Sequence, residues 1–388
     1  MKKYAKKAIE MVLQGEMAFC KFLSANDTGE TGGHQAGIYI SKPSVPILFE
    51  KAGVKGENKE KWVKFHWQDG SITDTRFIYY GKGTRNEYRI TNFGRGFPFL
   101  RPEYTGALFV MIKVTTEEYW GYFLNTEEEI QYFLDSFGMS PTQTNKLLEK
   151  ERLRPQLREE QEITRFVKSL DSEFPTSAEM SREARLLSSI RSSEKKLDPD
   201  QELLNWIDSE YALFRELERR SYGELISKGF KNVDEFVSLA NQVLNRRKSR
   251  AGKSLEHHLA VIFDQNKLLY TAQAITEGKK RPDFLFPSQE AYHNQAYNVD
   301  CMLTLAAKTT CKDRWRQVLN EADRLRDKNK YLCTLQQGIS SNQMDEMESE
   351  KVILVVPKPY IHTYPKVKQN RIWTLSKFIK YVREIETN

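Results

Sequence analysis

The chain is predicted to fold as two units, a β-built N-terminal half and an α/β C-terminal half. Three observations carry this. Its 388 residues exceed the usual size of one domain. Over residues 1 to about 150, short β-forming runs are punctuated by Gly, Pro and Asn. From about residue 281, strand-like apolar runs alternate with helical stretches, the pattern of an α/β core.

The opening Met1-Lys2-Lys3 leads into a stretch interrupted by Glu10, Gln14 and Glu16, which reads as an amphipathic helix and not as a signal peptide. Gly37-Ile38-Tyr39-Ile40, Arg76-Phe77-Ile78-Tyr79-Tyr80 and Ala107-Leu108-Phe109-Val110-Met111-Ile112 read as strands of a small barrel or sandwich. Charge-dense helix formers take over at Leu147-Leu148-Glu149-Lys150-Glu151-Arg152. This divides the chain into an N-terminal domain (1–150), a linker with helical character (151–172) and a C-terminal domain (173–388). Residues 176–265 have a helical pattern. Beyond them follow a strand at 281–286, a strand at 301–308, a helix at 312–326, a strand at 351–356 and a helix at 375–385.

Composition narrows the class. Hydrophobic residues at 39% and aromatics at 12% supply substantial cores, and a net charge of +7 suits a polyanionic partner. The longest apolar runs, such as 352–356, are too short to span a bilayer. Cys20, Cys301, Cys311 and Cys333 are scattered, without a Cys-x-x-Cys, so neither a disulfide framework nor a zinc site is indicated and a reducing cytoplasm is expected. Of six histidines only His257 and His258 are adjacent, which gives no zinc-ligand pattern.

The chemistry concentrates late in the chain. Arg281-Pro282-Asp283-Phe284 places an aspartate at a strand start, and 301–308 ends its apolar run on Lys308. In 312–326 an apolar stripe of Trp315, Val318, Leu319, Ala322 and Leu325 implies a helix whose other face carries Arg314 and Glu321. Strand, strand and helix then converge Asp283, Lys308 and Glu321 on one point. That set suits metal-assisted phosphodiester hydrolysis: Mg²⁺ is held by one or two carboxylates, and a lysine orients the attacking water or offsets transition-state charge.

The run from Arg281 to Ser288, with Ala307-Lys308-Thr309-Thr310-Cys311-Lys312-Asp313-Arg314-Trp315-Arg316-Gln317, resembles the catalytic domain of EcoRII-type restriction endonucleases of the PD-(D/E)XK superfamily. Most of that superfamily has an acid two residues before the lysine; here the position is Ala306, and the resemblance places the replacement acid at Glu321. It implies that Asp283 and Glu321 hold Mg²⁺, that Lys308 positions water and that Glu256 assists. Lys312-Asp313-Arg314 is similar to the family's reading motif, in which arginine or lysine suits guanine and aspartate suits cytosine N4.

Two N-terminal segments carry a second resemblance. The loop from Ser24 to Gln35 is rich in small hydrogen-bonding residues, and Thr84-Arg85-Asn86-Glu87-Tyr88-Arg89 interleaves arginines with Asn and Glu, residues suited to base edges. They resemble the DNA-clamping arms of the EcoRII N-terminal effector domain, a pseudo-barrel. His34, Tyr39, Arg85, Glu87 and Arg89 match its recognition positions, whereas Gly83 and Tyr88 stand where the better-known relative has lysines. The basic cluster from Arg246 to Lys253, with Arg246 and Arg247 at its head, is expected to contact phosphates ahead of a helix at 254–265. Trp206 is a candidate stacking platform for a flipped base.

The resemblance implies a Mg²⁺-dependent endonuclease that cuts double-stranded DNA at a CCWGG-type site, with CCNGG and CCGG as open variants, and leaves 5′-phosphates. A palindromic target implies a homodimer, the effector domain implies dependence on more than one site, and the class implies a companion methyltransferase. A catalytically dead DNA-binding regulator is the rival reading, opposed by the intact Asp283, Lys308 and Glu321. A structure-selective repair nuclease is opposed by the paired reading motifs.

Overall fold

The computed structural model describes residues 2–30, 37–148, 158–170, 174–191 and 198–386. His34 and most of the second half of its loop lie outside the described residues.

The N-terminal half is built on one eight-stranded sheet. Its elements are α1 (Lys3–Gln14), β1 (Met17–Phe22), β2 (Ile38–Ile40), β3 (Lys59–Trp67), β4 (Ile72–Tyr80), β5 (Glu87–Thr91), β6 (Leu108–Lys113), β7 (Glu118–Leu124), α2 (Glu127–Ser136) and β8 (Lys146–Leu148). The strand order is β2-β5-β4-β3-β7-β6-β1-β8. One face is an aromatic core: Phe65 stacks on Trp67 at 4.6 Å, and Phe77 meets Tyr119 edge-on at 4.9 Å. The other face of β1, β6 and β7 is covered by Ala5, Ala8 and Val12 of α1 and by Ile130, Phe133 and Leu134 of α2. The sheet rolls until its edges meet through side chains. Ser41 Oγ, just after β2, donates to the Asn145 carbonyl before β8 at 2.8 Å, and Lys21 Nζ on β1 donates to Tyr39 O on β2 at 3.0 Å.

The C-terminal half continues with α3 (Arg158–Ser169), α4 (Ser177–Arg191), α5 (Pro199–Lys228), α6 (Val233–Gln265), β9 (Thr271–Ala272), β10 (Phe284–Phe286), α7 (Gln289–His293), β11 (Leu303–Lys308), β12 (Lys330–Thr334), α8 (Ser341–Ser349), β13 (Val352–Val355) and α9 (Leu375–Glu386). Its sheet runs β13-β12-β11-β10-β9, parallel from β11 to β13 and antiparallel at β10 and β9. Leu203, Leu259, Phe263 and Phe378 from α5, α6 and α9 cover one face, while Trp315, Val318 and Met347 cover the other. Asp198 caps α5 ahead of Pro199, and Gly229, at φ +77, ends it. Residues Ile163 and Val167 of α3, in the segment read as linker, pack against Leu213, Phe214 and Leu217 of α5.

Three expectations are corrected. The helix read at 254–265 is the end of a 33-residue helix, because nothing between Asn232 and Gln265 breaks it. The strand β12 lies between β11 and β13, where a helix tail and loop were expected. The helix read at 312–326 is instead two 3₁₀ turns, Arg314–Asn320 and Asp323–Leu325. Trp315 and Val318 enter one hydrophobic core, whereas Ala322 and Leu325 enter another. A continuous α-helix would not serve both, and Ala322 breaks it in an extended conformation (φ −152, ψ 99).

Candidate active site and DNA-reading face

Asp283 stands directly before β10, where antiparallel pairing of Phe284 with Leu305 brings it alongside the end of β11. Its Oδ2 accepts the Ala307 backbone N–H at 2.7 Å and Lys308 Nζ at 3.2 Å. Its Oδ1 accepts Gln273 Nε2 at 3.0 Å, and the same amide donates to Glu256 Oε2 at 2.8 Å. Glu256 comes from α6, one turn before the buried Leu259 and the half-buried Ala260. A buried network fixes this helix: His258 meets Glu210 at 2.9 Å, and Ser181 donates to the same carboxylate at 2.7 Å.

Glu321 occupies the break between the two 3₁₀ turns. Its carbonyl accepts Thr276 Oγ1 at 2.7 Å, and the following Asp323 N–H donates to Glu277 at 3.0 Å. The Tyr292 hydroxyl bonds Glu277, and Arg324 reaches from the same turn to the Tyr292 and Tyr297 carbonyls. Burial, then the negative field of Asp283, pushes the Glu321 carboxyl up to about 7, against the opposing pull of Lys308. Burial and Asp283 also raise Glu256. Lys308, Asp283, Glu256 and Glu321 therefore share one electrostatic environment. Ala306, where most of the superfamily has its acid, is buried in the core.

The crowding of carboxylates at one place is what a divalent cation relieves, and their oxygens suit a hard ion. Among the described residues no group of three or more carboxylate, histidine or cysteine side chains is placed to hold a metal ion. Mg²⁺ needs none, since water and phosphate oxygens complete its shell.

The candidate reading motif, Lys312-Asp313-Arg314, is turned toward the N-terminal half. Glu127, at the start of α2 and almost wholly buried, accepts Arg314 NH2 at 2.7 Å, Arg314 N at 3.2 Å and Asp313 N at 3.4 Å. In return Asp313 Oδ2 accepts the Glu127 N–H at 2.8 Å. Lys312 is buried and donates to the Thr105 carbonyl at 2.9 Å; burial pulls its ammonium down to about 7. Glu30, at the base of the glycine-rich loop, accepts the Ser341 N–H at 3.0 Å and Thr105 Oγ1 at 2.9 Å. Gly106 lies so close to Gly338 that a Cβ would sit 2.1 Å from the Gly338 carbonyl oxygen, at a φ of +79. Sequence reasoning missed Glu127, Glu30 and Gln273. The first two act across a domain contact, and the third has no local motif.

The N-terminal candidates divide. Arg85 is exposed, with its guanidinium 5.2 Å from the Tyr80 ring centre. Tyr39 is half-buried in β2. Arg89 is buried and paired to Glu87 at 3.2 Å, with a further bond to Gly37 O at 3.4 Å, so it orients Glu87 in this arrangement. The basic cluster is also largely consumed within the protein. Arg246 bonds Tyr222 and lies 3.9 Å over the Phe174 ring. Arg247 forms a forked pair with Glu218 at 2.7 and 2.8 Å and donates to Asp135 O and Ser136 O of α2. Both arginines hold helices and domains together here and do not present themselves to phosphates. Trp206 is 5% exposed, packed 5.6 Å from the His258 ring; it belongs to the core and offers no face for a base in this arrangement.

The chain is a sequence-specific DNA endonuclease, a type II site-specific deoxyribonuclease with two domains. Family models for the EcoRII C-terminal region and for the N-terminal region of restriction endonuclease EcoRII match residues 214–379 and 13–125. The type II restriction enzyme EcoRII of Escherichia coli is 37% identical over 391 residues, covering 96% of this chain and 95% of that one. The chain belongs to the EcoRII family of type II restriction enzymes. Among solved structures, restriction endonuclease PspGI with substrate DNA has 17% identity and a TM-score of 0.45, covering 55% of this chain and 94% of its own. Metal-depleted Ecl18kI with uncleaved DNA has 18% identity and a TM-score of 0.45, covering 60% and 86%. No helix among the described residues is long and apolar enough to cross a membrane.

Proposed function

We propose that the chain cleaves a CCWGG-type site with Mg²⁺, leaving 5′-phosphates, and that its N-terminal domain holds the catalytic domain shut until it binds a second copy of the site. The carrying observation is the shared environment of Asp283, Lys308 and Glu321, next to a Lys312-Asp313-Arg314 motif gripped by Glu127. Asp283 and Glu321 would hold the ion, which when bound supplies Lewis-acid stabilisation of the phosphoryl oxygens and a more acidic water. Lys308, already bonded to Asp283, orients the attacking water and offsets charge on the oxygens of the pentacoordinate transition state. Glu256 adds a further oxygen at the edge of the site.

Released from Glu127 and Thr105, Lys312 and Arg314 would donate to guanine and Asp313 would accept from cytosine N4. In the N-terminal domain, spanning about 1–150, the rolled sheet reads as a pseudo-barrel that presents Tyr39, Arg85 and Glu87 to DNA, with Arg89 behind them; His34 joins the recognition set by family resemblance alone. The nuclease domain, assigned to 173–388, gains α3 as an outlying helix. A two-fold palindrome calls for a homodimer with each subunit cutting one strand. A companion methyltransferase and a cytoplasmic location follow from the same reading. The test is to incubate the protein with Mg²⁺ and a plasmid bearing several CCWGG sites and sequence the ends. Ends at one recurring sequence support the proposal; random ends, or an absence of ends with intact DNA binding, overturn it.

A further inference from the structure

Gln273 follows β9 in the left-handed region, at φ +51, a conformation that few residues other than glycine adopt. It is tethered to Asp283 twice. Its backbone N–H donates to the Asp283 carbonyl at 3.0 Å, and its side-chain amide donates to Asp283 Oδ1 at 3.0 Å. The second N–H of that amide goes to Glu256 Oε2 at 2.8 Å. One neutral group thus bridges two carboxylates that would otherwise repel each other.

A lone-pair count shows what this does. An ionised carboxylate offers about four acceptor sites, two on each oxygen. Asp283 Oδ2 has both filled, by Ala307 N–H and Lys308 Nζ. Oδ1 has one filled by Gln273, so one site remains. The amide, the backbone N–H and the lysine together fix the carboxylate plane, leaving that site to point in a single direction. On Glu256 the amide holds Oε2 and leaves Oε1 unclaimed by any of these donors.

We infer that Gln273 is a positioning residue that presets Asp283 and Glu256 for a divalent cation. This rests on the metal-dependent reading above. In this orientation Gln273 turns its amide nitrogen, and not its carbonyl oxygen, toward both carboxylates, so it orders the ligands without being one of them. Outer partners of this kind typically govern metal affinity by about 10- to 100-fold.

The test is an electron paramagnetic resonance titration of Mn²⁺ into the full-length protein at pH 8, counting free ion. Wild type is compared with Asp283→Asn, Gln273→Met and Gln273→Lys, with melting curves in EDTA alongside. Methionine keeps the length and loses both donors. It is expected to weaken Mn²⁺ binding about 10- to 100-fold with little change in Tm, since the side chain is exposed. Lysine places a fixed cation between the carboxylates, and is expected to abolish Mn²⁺ binding while raising Tm in EDTA, which a merely structural glutamine would not do. Unchanged Mn²⁺ affinity in Gln273→Met overturns the inference and leaves the metal reading standing. Failure of wild type to bind any Mn²⁺ that Asp283→Asn removes overturns both.

Discussion

Glu127→Ala should loosen the contact that holds the reading motif, and its size can be worked out. The Glu127 carboxylate accepts four donors: Thr310 Oγ1 at 3.3 Å, two backbone N–H groups, and the Arg314 guanidinium at 2.7 Å. The Arg314 side chain is 55% exposed, so in the variant it returns to water and its ion pair counts for only about 1 kcal/mol. Asp313 N–H and Arg314 N–H lose charge-assisted bonds worth about 1 kcal/mol each after solvent exchange. The Glu127 backbone bond to Asp313 survives. The closed state therefore loses about 2–3 kcal/mol, a shift of roughly 30- to 150-fold toward release. The assay compares cleavage of a one-site and a many-site plasmid in Mg²⁺. The variant should cut the one-site plasmid faster by a factor in that range, and the difference between substrates should shrink. An unchanged preference for many sites, in a variant that folds with near-wild-type Tm, would refute the role given to Glu127.

Further outcomes follow from the same geometry. In EDTA, Glu321 keeps its proton longer in the folded state than in the unfolded chain, so stability falls as pH rises from about 4.5 through about 7, by up to about 3 kcal/mol. Glu321→Gln should flatten that part of a Tm-against-pH curve, and an unaltered slope would show that another group is responsible. Trp206→Ala should destabilise the protein by about 3–5 kcal/mol in denaturant titration, because it empties a core position; a stable variant that merely cuts with altered central-pair preference would return Trp206 to the DNA. Arg247→Ala, which severs a forked ion pair and two bonds to α2, should lower Tm and expose the region around 135–138 to hydrogen exchange. Equal exchange in variant and wild type would remove Arg247 from the domain contact.

Much of the site was legible because its signals are local. Asp283 before a buried strand and Lys308 at the end of another are set by short apolar runs, and β10 and β11 formed where those runs lie. Glu321 was reached through helical spacing and through family resemblance, and only the second survives, because the helix that the spacing implied did not form. The stripe from Trp315 to Leu325 has helical spacing, yet its members enter two cores, and that division is a property of the tertiary fold. The same holds for Arg247, Arg89 and Lys312. Their composition marks them as basic and available, while Glu218, Glu87 and Thr105, distant in sequence or on the neighbouring strand position, decide whether they are free. Trp206 illustrates the limit in the apolar direction: an aromatic residue at helical spacing reads alike as core or platform until α4 and α6 close over it.

The most direct test is an anomalous difference map from crystals grown with Mn²⁺. Density between the Asp283 and Glu321 carboxylates, on the side of the free Asp283 Oδ1 position, is the result predicted here. A well-ordered ion elsewhere in the catalytic domain, with those two side chains apart and empty-handed, would contradict the shared-ion mechanism.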